Sequence, residues 1–185
     1  MKKLLLFVSL LYTFQSNAQN IKKILTASEL DSVQQGIVLY KGVEKKTAMD
    51  FGGFEGEIAV RKINSKISYH FIGTANKYNS KRELIESMEM DSLGYLQAYY
   101  QILPEDGAIF DCVYEYKRIN GTLYRLESQK LYYEPDRLWQ EGFRYRKMTD
   151  GFADKFTSPN KRCGNWTFYT RNGEVEKTED YGDPK

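Results

Sequence analysis

The sequence is poor in the residues that usually carry chemistry. It has one histidine, two cysteines and four prolines in 185 residues. With His70 alone, a multi-histidine metal site within one chain is excluded. Cys112 and Cys163 allow one bridge at most. The glycines of "DFGGFEG" lack the lysine and the spacing of a phosphate-cradling loop. No nucleophile elbow accompanies any serine, and Asp150, Asp154 and Asn160 lack the spacing of an EF-hand loop. No cofactor or metal site is therefore expected. No apolar run, Leu4 to Tyr12 included, is long enough to span a bilayer as a helix.

A charge excess of one sign is missing as well. The chain carries 27 basic and 25 acidic residues. Its first eighteen, "MKKLLLFVSLLYTFQSNA", place Lys2 and Lys3 before the apolar run Leu4 to Tyr12, then Ser16-Asn17-Ala18. That order is the signature of an export leader cleaved before Gln19. Loss of its two lysines leaves 25 of each sign. A balanced chain gives no support for nucleic-acid binding, which favours a basic domain. The expectation is a periplasmic or secreted protein with one domain over 19–185. Export permits a disulfide, and a bridge between Cys112 and Cys163 is expected, worth about 3–4 kcal/mol in the chain-entropy account. The alternative is an ordinary buried thiol at Cys112, within "AIFDCVYEY".

What the sequence does have is tyrosine and alternation. Fourteen of its 15 tyrosines fall after the leader. Early in the chain, Ser28 and Gly36 bracket a short helix over Glu29 to Gln35. "GIVLYKG", "EIAVRKI" and "KISYHFI" read as strands, the last two joined at Asn64-Ser65. Ser80 and Glu83 form a capping box, with Leu84, Ile85 and Met88 on one helical face, so a second helix is expected over Lys81 to Met90. "YLQAYYQIL" permits a helix or a strand, and its surroundings favour a strand. From Ala108 onward, Phe110, Cys112, Tyr114 and Tyr116 alternate, and Asn120-Gly121 supplies a tight turn. The fold expected is mainly β, with α+β as the alternative: meandering antiparallel hairpins and one or two short helices.

Two segments repeat a pattern of aromatic, basic residue, Asn-Gly and later tyrosine: "YKRINGTLYRLESQKLYY" and "FYTRNGEVEKTEDYG". The pattern resembles MORN-like repeats of exported bacterial proteins. It falls on Gly164, Trp166, Tyr169, Asn172, Gly173 and Tyr181, and in looser form on Tyr116, Asn120, Gly121 and Tyr132. The resemblance covers the C-terminal third and places MORN-like hairpins within 108–185. It implies a scaffold or binding surface and no reaction. Trp166 and Tyr169 are then packing residues, and Asn172-Gly173 sets a turn.

Two functional classes follow. The first is an exported, non-catalytic binding protein whose aromatic-basic β-face contacts another protein or a cell-envelope glycan. An immunity or inhibitor role would suit it. Tyr132, Trp139, Arg144, Tyr145 and Arg146 are the candidate contacts, because rigid aromatics interleaved with arginine make anchors of low entropic cost. The competing explanation is that the tyrosines cap a small β-core. The second class is a periplasmic hydrolase of envelope polymer using paired carboxylates. "MEMDS", "LPEDG", "YEPD" and "KTEDYGD" could supply them, and such a pair would have to face each other across a cleft about 5–9 Å wide. His70, in "ISYHFIG", reads as a hydrogen-bonded strand histidine.

Overall fold

A computed structural model describes residues 24–44, 47, 49–104, 107–148 and 159–184. The expected leader 1–18, the mature start at Gln19, and Asp150 and Asp154 of the polar run after Met148 lie outside the described residues.

The described residues form one ten-stranded antiparallel sheet in which every strand neighbours its predecessor. The strands are β1 (Leu39–Val43), β2 (Phe54–Ile63), β3 (Lys66–Tyr78), β4 (Leu84–Met90), β5 (Leu96–Ile102), β6 (Ile109–Ile119), β7 (Thr122–Glu134), β8 (Arg137–Lys147), β9 (Lys161–Tyr169) and β10 (Val175–Asp180). Helix α1 (Ala27–Gln34) precedes them. The mainly β expectation holds, and α1 is the one α-helix of more than a single residue among the described residues.

Local chemistry explains the joints. Helix α1 starts two residues before the expected position because Thr26, not Ser28, is its cap: Glu29 N–H donates to Thr26 Oγ1 while the Glu29 carboxylate accepts from Thr26 N–H. Two-residue turns close β2–β3 and β6–β7. Asn64 and Ser65 have φ of 47° and 64°, and Asn120 and Gly121 have 49° and 79°. Left-handed backbone at both central positions matches the right-handed strand twist. The last hairpin differs. Gly173 is left-handed at φ 83° but Asn172 is not, and Thr170 N–H bonds to Glu174 C=O across a longer loop.

The helix expected over Lys81 to Met90 is instead a turn followed by β4. The Asn79 side chain accepts from the N–H groups of Lys81 and Glu83, closing a turn in place of the expected Ser80–Glu83 capping box. Glu86 and Met88 are buried on one side of β4, so the true period is two. A buried carboxylate disguised it. Lys77 Nζ lies 3.3 Å from Glu86, and the Tyr99 hydroxyl donates to it at 2.5 Å, which is what makes burial of that charge tolerable.

The sheet has two faces, defined by alternation along each strand and by cross-strand register. Over β1–β4, one face is covered by α1 and the 3-10 turn at Met49–Phe51. Leu25, Val33, Phe51, Phe54, Ile58, Val60, Phe71 and Met88 form the main core there. Each fully buried large apolar side chain contributes about 1.5–3 kcal/mol. On the opposite face, His70 is 9 % exposed, its Nε2 3.3 Å from Ser92 C=O under the β4–β5 turn. The strand-histidine reading fits.

The expected disulfide is absent. Cys112 and Cys163 are both buried and free. Cys112 is in register with Gln129 and Gly142, whereas Cys163 pairs with Phe143, so the thiols point to opposite faces. They also stand three strand intervals apart, about 14 Å, well beyond bridging range.

Candidate functional site

On the face that carries Cys112, the strands β6 to β9 lay their side chains out as a grid. Tyr114, Glu127, Arg144 and Arg162 form one continuous cross-strand row. Tyr116, Arg125 and Arg146 form the next. On the other side, Cys112 and Gln129 lead to Gly142, and there the row ends in a slot.

Trp166 fills that slot. A Cβ on Gly142 would stand 2.3 Å from Trp166 Cδ2, so only glycine lets the indole lie on the strand. The ring is 1 % exposed, and its Nε1–H donates to Phe143 C=O at 2.8 Å. Both needs of a buried indole, area and a partner for its N–H, are met. The guanidinium groups of Arg162 and Arg144 lie over this ring, 4.4 and 5.4 Å from its centroid. Arg162 also lies over Phe168 and Tyr181. Around the buried indole, Arg144, Arg162 and Phe168 are half-buried, and Lys177 and Tyr181 reach the surface.

The electrostatics are lopsided. Glu127, 3 % exposed, is the one acid within the two arginine rows. Its Oε1 accepts from Arg125 Nη2 at 2.8 Å and lies 3.9 Å from Arg146 Nε. Its Oε2 accepts from Gln129 Nε2 and Asn160 Nδ2 at 2.8 and 2.9 Å. Burial, and then repulsion from Arg162, holds the Arg144 guanidinium below its ordinary pKa. Burial also pushes the Cys112 thiol up to about 12 and raises that of Cys163, so neither is poised as a thiolate.

The residues selected from sequence do not form one surface. Arg144 and Arg146 belong to the grid. Tyr145, between them, faces the other way and is buried with Tyr124, Cys163 and Leu126. Tyr132 is half-buried and pairs with Ile109 and Leu138. Trp139 stacks on Tyr133 at 5.1 Å, with Arg171 also over Tyr133, in a separate patch near the β7–β8 turn. Arg125, Glu127, Asn160 and Arg162 were missed. For Arg125 and Glu127 the signal is the alternation in "YRLESQ", where Arg125, Glu127 and Gln129 share a face; Asn160 and Arg162 join them only through the β8–β9 pairing. Of the repeat-derived positions, Gly164 is left-handed at φ 58°, and its C=O and N–H bond to Tyr181 N–H and Gly182 C=O. Tyr169 donates its hydroxyl proton to Glu141 at 2.6 Å.

A shallow depression of about 210 Å³ lies near Ser128, Glu141, Asn165 and Thr167. It holds a single carboxylate, Glu141, already engaged by Tyr169. Among the described residues the two buried acids, Glu86 and Glu127, are each tied to a cation and at least one further donor. Among the described residues, no group of three or more His, Cys, Asp or Glu side chains could hold a metal, and no helix is long and apolar enough to cross a membrane. No family model, curated protein or solved structure matches the chain.

Proposed function

We propose that the chain is an exported binding protein without catalytic chemistry, which recognises another protein or a cell-envelope glycan. The contact face is the Arg144–Arg162–Trp166 cluster with its rim of Phe168, Lys177 and Tyr181. The observation that carries this reading is the pair of half-buried guanidinium groups resting on a fully packed indole. Interface anchors are typically aromatic and arginine side chains held rigid before the partner arrives. Export rests on the leader pattern around Lys2, Lys3 and Ser16-Asn17-Ala18, and the resemblance to MORN-like hairpins supports a scaffold role for β9–β10. An immunity or inhibitor role suits a small exported protein that acts by surface complementarity.

The test is capture of envelope components by the mature protein, together with a turnover assay on peptidoglycan and glycan fragments. Arg162→Ala and Tyr181→Ala should each weaken capture by about 1–2 kcal/mol while the protein stays folded. Wild-type capture by both variants would remove this face. Turnover that is lost on a single carboxylate-to-amide change would overturn the non-enzymatic reading.

A further inference from the structure

Resting on that binding reading, we propose that Arg144 and Arg162 form an oxyanion site, and that its ligand is the side-chain carboxylates of an acidic protein segment. Glu127 is not available to either arginine as a hydrogen-bond acceptor. Both its oxygens are taken up by Arg125, Gln129 and Asn160, with Arg146 close behind. Arg144, directly opposite it on β8, forms no hydrogen bond or ion pair among the described residues, and its buried Nε meets no acceptor. Arg162, the next residue of the row, donates to the Tyr181 hydroxyl at 2.7 Å, and that hydroxyl in turn donates to Glu179. Thus Glu179 on β10 is hydrogen-bonded to Arg162 only by way of a tyrosine, and its charge otherwise acts on Arg162 through space.

Two guanidinium groups paired across neighbouring strands repel each other in partly buried surroundings. An anion seated against both would reverse the sign of that interaction. Guanidinium forks bind carboxylate and phosphate alike through paired N–H donors. The surroundings favour carboxylate. Built phosphate sites commonly add backbone N–H groups from a helix N-terminus or a loop nest, whereas the donors here are side chains on an open strand face. Phe168 and Tyr181 flank them with aromatic surface, and Lys177, 4.6 Å over the Phe168 ring, extends the positive charge towards β10. An extended peptide carrying acidic and apolar side chains complements that arrangement.

The test uses the mature protein carrying Trp139→Phe, so that emission reports Trp166. It is titrated at low salt with hexaglutamate, hexaglutamine and inorganic phosphate. Hexaglutamate should change the emission saturably. Arg144→Gln or Arg162→Gln should raise its apparent Kd by about tenfold or more. Arg137→Gln, an equal loss of charge at the exposed start of β8, should stay within about twofold. Thermal melts of each variant establish that it is folded. No saturation with hexaglutamate would overturn the proposal, as would an equal effect from Arg137→Gln. Tighter saturation by phosphate would overturn the carboxylate assignment. If hexaglutamate fails while envelope capture still depends on Arg162, the carboxylate proposal falls and the binding reading stands.

Discussion

Arg144 faces Glu127 directly across β8 and β7, yet the two do not form an ion pair. The carboxylate belongs to Arg125, Gln129 and Asn160, and Arg144 lies over Trp166. The two sides of this row should therefore respond differently to substitution. Glu127→Gln removes the buried carboxylate that accepts from Arg125, 7 % exposed, and should cost about 3–5 kcal/mol. Arg144→Leu loses a cation–π contact but also a partly buried charge, and should change stability by less than about 1 kcal/mol. Urea unfolding of both variants checks the contrast, and equal losses would contradict it.

Gly142 should be intolerant of a single added carbon. Alanine there drives its Cβ into the indole of Trp166, which is pinned by the bond from its Nε1 to Phe143. The expected cost is about 1–3 kcal/mol, the range for overpacking. Tryptophan emission should shift as the ring moves. Unchanged stability and emission would mean that the indole does not lie on β8.

His70 gives stability a pH dependence that can be isolated, because it is the only histidine. Burial is the main cause that lowers its pKa from 6.5, and the Arg61 guanidinium adds to the shift. Above 6.5 neither folded nor unfolded chain holds the proton, and the contribution is complete. As pH falls below 6.5 the unfolded chain takes up a proton that the folded chain resists, so stability drops, levelling off below the folded pKa. Denaturant titrations between pH 7.5 and about 5 should show this slope in wild type and a shallower one in His70→Gln. Identical slopes would show that His70 is readily protonated in the fold.

The turns offer a paired stability test. Ser65 sits at φ 64° with a side chain that disfavours it, so Ser65→Gly should stabilise by about 0.5–1 kcal/mol. Gly173 sits at φ 83°, and Gly173→Val should cost about 1–2 kcal/mol. Shifts of the opposite sign in thermal unfolding would contradict the hairpin geometry.

Much of the fold was legible because it is local. Alternation from Phe110 to Tyr116, and the dipeptides at 64–65 and 120–121, each specify a strand or a turn without reference to the rest of the chain. β4 was not legible, because its inward positions include Glu86, whose burial depends on Lys77 and Tyr99 from neighbouring strands. The site was half legible. Period two puts Arg144 and Arg146 together and sends Tyr145 to the other face, so the alternation that marks the strand also separates Tyr145 from the two arginines. Which side chain meets Trp166 depends on the irregular β8–β9 register between Glu141 and Phe143, and a long-range bulge leaves no local trace.

If Arg144 and Arg162 form the contact, binding runs through that pair rather than through surface charge at large. The most direct measurement is an equilibrium binding isotherm of the mature protein on isolated envelope material, comparing two charge-matched double variants. Arg144→Gln with Arg162→Gln should weaken binding by about tenfold or more, equivalent to about 1.4 kcal/mol per decade. Arg137→Gln with Arg171→Gln should leave it within about twofold. Equal weakening by both pairs would reduce the interaction to diffuse electrostatics. Weakening by the second pair alone would move the contact to the Tyr133–Trp139 patch and contradict the account.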